Sequence, residues 1–363
     1  MTLQCDQSSG TASASSALRA VSAAPVRDDY SAAFHKVRFG LVDDRGQSYA
    51  EFVRGLRPDF ARVYRDIGWG YSMLITTALI AIFTLHNGVP PWFVVAIGAL
   101  SFGYWIAYLQ LFIHEAAHAN LAAERKESDR LGNLLVAWMV GTTVANYRKV
   151  HFEHHRALGT TSDTESSYFL PLNALFVLSS LCGLRAVEVL LTRRSCVQRS
   201  RSSGKSEQAA FDAEGIPCRS RASLIASHVR AGVLGHIVVI LVAWWGGSWP
   251  LATAWCVGVG VVFPFFAALR PVLEHRDEVA SSRIDYRRAD HGAYTRLFGD
   301  DPLSASFGGA GFNRHLLHHW EPQVSYTRLP ELEKFLGRTV MKTVMESRRS
   351  SYGAAFIRLF TLY

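Results

Sequence analysis

Charged and apolar residues are segregated along this chain into long blocks. Glu115 is the one charged side chain between Ile67 and Ala123, and none occurs between Ala231 and Leu269. The first block holds apolar runs over residues 67–85 and 92–113, each close to the roughly 20 helical residues that cross about 30 Å of hydrocarbon. The stretch His86-Asn87-Gly88-Val89-Pro90-Pro91 divides them as a turn. The second block repeats the design over 231–249 and 251–269, broken at Gly246-Gly247-Ser248-Trp249-Pro250, where Trp suits a membrane interface. The pattern predicts four transmembrane helices in two hairpins.

Two further apolar stretches read differently. Leu131–Tyr147 is short and contains Asn133, Gly141 and Asn146, while Leu170–Leu191 carries Arg185 and Glu188. A single crossing by either would separate the histidines on its two sides into different compartments. Both are therefore predicted to be interfacial or buried helices. The expected organisation is a disordered Ser/Ala-rich tail over 1–30, an interfacial segment over 31–66, and a membrane domain over 67–363 with a mobile basic loop at about 193–221.

Composition fits this reading: 49% of the 363 residues are hydrophobic and 19% charged, which disfavours disorder, a coiled coil or a purely soluble enzyme. All 38 Lys and Arg lie outside the hairpins, so both termini and the middle segment are expected in the cytoplasm. Basic flanks facing anionic lipid account for the +8 net charge without a nucleic-acid partner. The five cysteines (Cys5, Cys182, Cys196, Cys218 and Cys256) form no CxxC, which fits a reducing compartment.

Histidine carries the candidate chemistry. Nine of the fourteen fall just outside the hairpins, in His114-Glu115-Ala116-Ala117-His118, His151-Phe152-Glu153-His154-His155, the single His275, and His315-Leu316-Leu317-His318-His319. Helical residues at i, i+3 and i+4 share a face, so each cluster can present two or three imidazoles to one point. The hairpin topology would bring every cluster to one side of the membrane. About four ligands satisfy a zinc ion, so nine nitrogen donors suggest two metal ions. Imidazole suits Fe, Cu, Zn or Ni, and the lack of a carboxylate-rich cluster disfavours Ca and Mg. His35, His86, His228, His236 and His291 read as ordinary hydrogen-bonded core residues.

Glu115, Glu153 and Glu274 adjoin cluster histidines, and a carboxylate there can accept a ligand's outer ring N–H and fix its orientation. Neighbours on a helix do not share a face, so each suits a histidine of another cluster. Solvated charge is the alternative role. Asp163, after the second cluster, and Asn313, before the third, are further candidates of this kind, although Asp163-Thr164-Glu165 equally suits a helix cap. Arg148, Lys149 and Arg156 offer charge to an acidic carrier or redox protein, and positive-inside topology equally explains them.

The boxes, with Asn146-Tyr147-Arg148-Lys149-Val150-His151-Phe152-Glu153-His154-His155 and Asn313-Arg314-His315-Leu316-Leu317-His318-His319-Trp320-Glu321-Pro322, resemble the membrane fatty acid desaturase and hydroxylase superfamily over roughly residues 68–336. That resemblance implies an all-α integral membrane fold of four spans with a cytosolic helical cap holding a dimetal site. It implies a non-haem di-iron centre bound by His114, His118, His151, His154, His155, His315, His318 and His319, with His275 similar to the extra histidine that often precedes the third box. The acyl-CoA branch carries Asn four residues before that histidine, where this chain has Pro271. The chain lacks an HPGG haem motif and a dinucleotide fingerprint, so electrons are expected from a separate ferredoxin, cytochrome or reductase.

The implied activity is O2-dependent desaturation of a fatty acyl chain, with hydroxylation or ketolation of a lipid or carotenoid as the alternative. Trp105, Tyr108 and Phe112 would line an apolar substrate tunnel, or simply pack. Two other classes compete. His114-Glu115-Ala116-Ala117-His118 also satisfies the HExxH pattern of zinc proteases, which leaves the other boxes unexplained. A metal transporter would place histidines within the spans rather than outside them.

Overall fold

A computed structural model describes residues 28–182, 184, 218–246 and 248–361. The tail expected over 1–30 and the loop expected at 193–221 lie outside the described residues, apart from 28–30 and the helical 218–221. The same holds for most of 182–191 and for Cys5 and Cys196. Among the described residues the fold is helical, with no sheet and two isolated bridges, Val42–Ser48 and Leu297–Arg349.

Among the described residues, three helical runs are long and apolar enough to cross a membrane: Phe60–His86, Pro91–Ala117 and Trp249–His275, each of 27 residues. At 1.5 Å per residue each is about 40 Å long. The third expected span, 231–249, corresponds to the helix Cys218–Trp245, whose apolar part, Arg230–Trp245, is shorter. The helices outrun the apolar runs because their ends are set by hydrogen bonding rather than hydropathy. The first begins where Asp59 accepts the backbone N–H of Arg62, about two turns before the apolar residues start. The last continues through Arg270 and Pro271 to His275. Leu131–Tyr147 is helical at both ends, with a π-turn at Asn133–Ala137 and a break at Gly141, whose φ of +63° favours glycine. Ala174–Leu181 is a short helix within the other secondary stretch.

The chain divides into two compact units, an apolar one built from Tyr64–His151 and Leu172–Arg270, and a polar one built from the residues up to Val63, Phe152–Pro171 and the residues from Pro271 on. In the apolar unit, the Pro91–Ala117 helix packs along Trp249–Val257 and the π-turn Gly258–Val262. Glycines allow the approach. A Cβ on Gly103 would stand 2.4 Å from Val262 Cβ, and one on Gly258 would stand 2.9 Å from Phe102 Cβ. Small residues at helix contacts are the usual device where apolar lipid removes the hydrophobic drive for association. Phe102 meets Trp255 edge-on at 5.2 Å across the same contact.

The polar unit is organised around the buried six-residue helix His315–Trp320. Trp320 is fully buried, stacks on Phe34 at 4.9 Å and donates its indole N–H to the Asp29 carbonyl. His35 donates to the Trp320 carbonyl, and Tyr49 donates its hydroxyl to Glu321 at 2.7 Å. The N-terminal segment is thereby folded onto the third box. Gly308 to Gly311, four residues before His315, form a packed turn: a Cβ on Gly308 would lie 2.6 Å from the Tyr352 hydroxyl, and Gly311 has φ +84°.

Candidate metal centre

In the apolar unit, the first box lies at the C-terminal end of Pro91–Ala117, with His114 on the last turn and His118 as the cap residue. Ala119 follows at φ +61°, turning the chain out of the helix. Val144–Ala157 carries the second box and brings His151 to the first. His118 Nε2 and His151 Nε2 lie 3.0 Å apart, and the His114 ring centroid lies 4.4 Å from that of His151. Tyr147 stacks on His151 at 5.4 Å. The helix end is closed by Arg148, whose guanidinium donates to the Ala116 and Ala117 carbonyls and pairs with Asp129. A cation there satisfies carbonyls that the helix leaves open and complements its dipole. Arg148 is thus a buried cap and not a surface charge for a carrier.

Burial, helped by the positive charge of Arg148, pushes the His118 pKa down to about 3. The ring is therefore neutral near pH 7, the form in which imidazole donates a lone pair to a metal.

The polar unit holds a denser cluster. His154, His275, His315 and His319 are buried, and their ligand atoms all lie within 4.8 Å of one another. His315 Nε2 is 2.9 Å from His275 Nε2 and 3.2 Å from His319 Nε2. His155 and His318 form a further pair, Nε2 to Nε2 at 3.0 Å. Nitrogen ligands on one tetrahedral ion at about 2.0–2.1 Å stand roughly 3.3 Å apart, so these spacings suit shared metal coordination.

Their outer nitrogens are held from behind. His275 Nδ1 donates to the Tyr294 carbonyl at 3.0 Å, and His154 Nδ1 donates to Asp163 Oδ1 at 2.8 Å. Both contacts leave Nε2 as the lone-pair nitrogen on the cluster side. Asp163 is itself fixed by the Tyr168 hydroxyl and by the N–H groups of Gly159 and Glu165. Arg296, fully buried, donates to the Leu273 carbonyl and closes the helix that ends in His275, as Arg148 does for the helix ending at the first box.

Electrostatics divides the cluster. Burial, reinforced by the neighbouring His155, His315, His275 and His154, lowers the His319 pKa well below the usual imidazole range. At His154 burial acts the same way, but Glu165, Asp163 and Asp29 outweigh it and raise the pKa. Asp163 is held below the usual carboxylate range: burial alone would raise it, and the His154 contact more than reverses that. These carboxylates favour positive charge at the His154 position, whether a proton or a metal ion.

The other singled-out residues fall in varied places. Glu115 Oε1 lies 3.6 Å from His114 Nδ1 of its own cluster, beyond hydrogen-bond length. Glu274 faces the third box, its Oε2 lying 4.0 Å from His315 Nε2. Glu153 pairs with Arg156 rather than with a histidine, and Asn313 donates to the Gly299 carbonyl and Asp300. Trp105, Tyr108 and Phe112 form an edge-to-face series along Pro91–Ala117, with Phe112 fully buried. Of the histidines read as core residues, His35, His236 and His291 make hydrogen bonds to backbone carbonyls, whereas His86 is exposed at a helix end. The side chain of His228 lies outside the described residues. Sequence patterns did not single out Tyr168, Arg296 or Tyr352, since a lone Tyr or Arg distant from the boxes carries no periodic signal.

Helical throughout its described residues, with three membrane-length helices and buried histidine clusters among them, the chain is of the class of integral-membrane histidine-box proteins. The family model described as fatty acid desaturase matches residues 90–346, and the chain belongs to that family. No curated protein matches it.

Proposed function

We propose that this protein is a membrane-bound, O2-dependent oxidoreductase that introduces a double bond into a fatty acyl chain, using two iron ions and electrons from a separate donor protein such as a ferredoxin, cytochrome or reductase. The observation that supports this most is the spacing of imidazole nitrogens at 2.9–3.2 Å, most of them buried, within a desaturase-family chain. The donor chemistry fits: neutral, buried nitrogen ligands suit a borderline transition metal. His154, His275, His315 and His319 would hold one ion. His114, His118 and His151 would supply donors for the second, and His155 and His318 are further candidate ligands.

When bound, the irons supply the activation of O2 that removes hydrogen from an unactivated C–H bond. The protein's own residues prepare that chemistry. Asp163 and the Tyr294 carbonyl orient His154 and His275, burial keeps His118 and His319 neutral, and Arg148 and Arg296 fix the helix ends that carry ligands. Trp105, Tyr108 and Phe112 would present an apolar wall to the acyl chain, with one carbon held against the metals.

The proposed topology has four spans, Cys218–Trp245 being the third, with both termini and the histidine boxes on the cytoplasmic side. The 28 residues of that helix extend about 42 Å, enough to cross although its apolar part is short.

Product analysis tests the reaction. Protein reconstituted in lipid nanodiscs with a reductase–ferredoxin pair, O2 and a labelled acyl lipid is expected to release a product lacking two hydrogens, seen by mass spectrometry. A product that has gained oxygen with no loss of saturation would replace desaturation with hydroxylation.

A further inference from the structure

Glu274 is 1% exposed, among the most deeply buried carboxylates in the polar unit. Its two oxygens have different surroundings. Oε1 accepts the Tyr352 hydroxyl at 3.1 Å, and Oε2 lies 4.0 Å from His315 Nε2. The identity of that nitrogen decides the role. His315 Nε2 is the atom that lies 2.9 Å from His275 Nε2 and 3.2 Å from His319 Nε2, so it faces the interior of the cluster. A carboxylate that merely orients a ligand sits behind the ring, as Asp163 does at His154 Nδ1. Glu274 comes instead to the side from which a metal would be bound.

Resting on the di-iron reading above, we propose that Glu274 is itself a ligand of the ion held by His154, His275, His315 and His319, with Tyr352 as its positioning residue. Four neutral imidazoles place no negative charge in direct contact with the ion, and Oε2 of Glu274 would supply it from the side that His315 Nε2 faces. Tyr352 holds Oε1, and Oε2 is the oxygen on the His315 side. The tyrosine is well fixed: it is 3% exposed, stacks on Phe298 at 3.8 Å and meets Phe307 edge-on at 4.9 Å. The chain is brought there by the bridge between Leu297 and Arg349, in which Leu297 N–H donates to the Arg348 carbonyl and Ser350 N–H to the Leu297 carbonyl. Tyr352 lies beyond the stretch matched by the family, which ends at residue 346. The two irons thereby become inequivalent, one held by nitrogen alone and the other by nitrogen and one carboxylate oxygen.

The test uses the full chain, purified in detergent and loaded anaerobically with ⁵⁷Fe(II), as wild type, Glu274→Gln and Tyr352→Phe, each checked for helicity by circular dichroism. Mössbauer spectra of the wild type are expected to show two doublets of equal area. Glu274→Gln alters one doublet or reduces it, and iron affinity at that site falls at least 10-fold. Tyr352→Phe, which keeps the ring packing, retains two irons but shifts the same doublet. Two irons and unchanged spectra in Glu274→Gln overturn the proposal while leaving the di-iron reading intact. If Glu274→Gln does not fold, unchanged spectra in Tyr352→Phe overturn it in the same way. Zinc or no iron in the wild type overturns both.

Discussion

Asp163 shows how a single carboxylate shapes a ligand set. It takes the outer N–H of His154, is held by Tyr168 and Gly159, and favours positive charge on the ring. Asp163→Asn keeps the shape and removes that charge, so iron affinity measured by chelator competition is expected to fall about 10–100-fold; unchanged affinity would show that Asp163 only braces the loop. Titration follows from the same residues. His118 and His319 have folded pKa values below the unfolded value near 6.5, so their contribution to stability is full above that pH and is lost as pH falls through 6.5 toward the folded values. His154, raised, acts in the opposite sense. Thermal unfolding of metal-stripped protein is therefore expected to shift to lower temperature between pH 7.5 and 5.5, and a shift to higher temperature would contradict the assignment. The histidines themselves were legible from spacing alone. Their supports were not, because Asp163, Tyr294 and Tyr168 reach the site through chain geometry that a local motif does not encode.

Helix ends, more than helix interiors, build this site. His118 caps one helix, His275 ends another, and a buried arginine from a different segment closes each. The apolar blocks announced the helices, but they could not give the boundaries, which depend on Asp59, on continued helix through Pro271 and on the break at Gly141. Nor could they reveal that Gly103 and Gly258 mark a close helix contact, since a glycine in an apolar run reads the same whether it faces lipid or a neighbour. Replacing Gly103 with Leu forces Val262 away and is expected to destabilise the protein by about 1–3 kcal/mol, visible as a lower melting temperature in detergent. The Val262→Ala change on the same background should restore part of the loss. Equal melting temperatures for Gly103→Leu and wild type would mean the contact is looser than described.

At the scale of the molecule, the all-helical class and family membership were readable from charge segregation and three histidine boxes, and both are found. Among the described residues three helices meet the length and hydropathy of a span, while Cys218–Trp245 is long but apolar over only part of its course, where Arg230 and the residues before it interrupt the hydrophobic run. The contribution of residues outside the family match was not readable: Asp29, Phe34 and Tyr49 secure Trp320 and Glu321 at the third box, and Tyr352 secures Glu274, from both ends of the chain. Such long-range closures follow from tertiary packing and leave no periodic trace. The central claim is that nine histidines hold two irons, and elemental analysis of purified protein tests it most directly, comparing wild type with a folded variant in which His154 and His155 are both replaced by Ala. About two irons per chain are expected in the wild type, with their loss in the variant. One zinc per chain, unaffected by the double replacement, would contradict it.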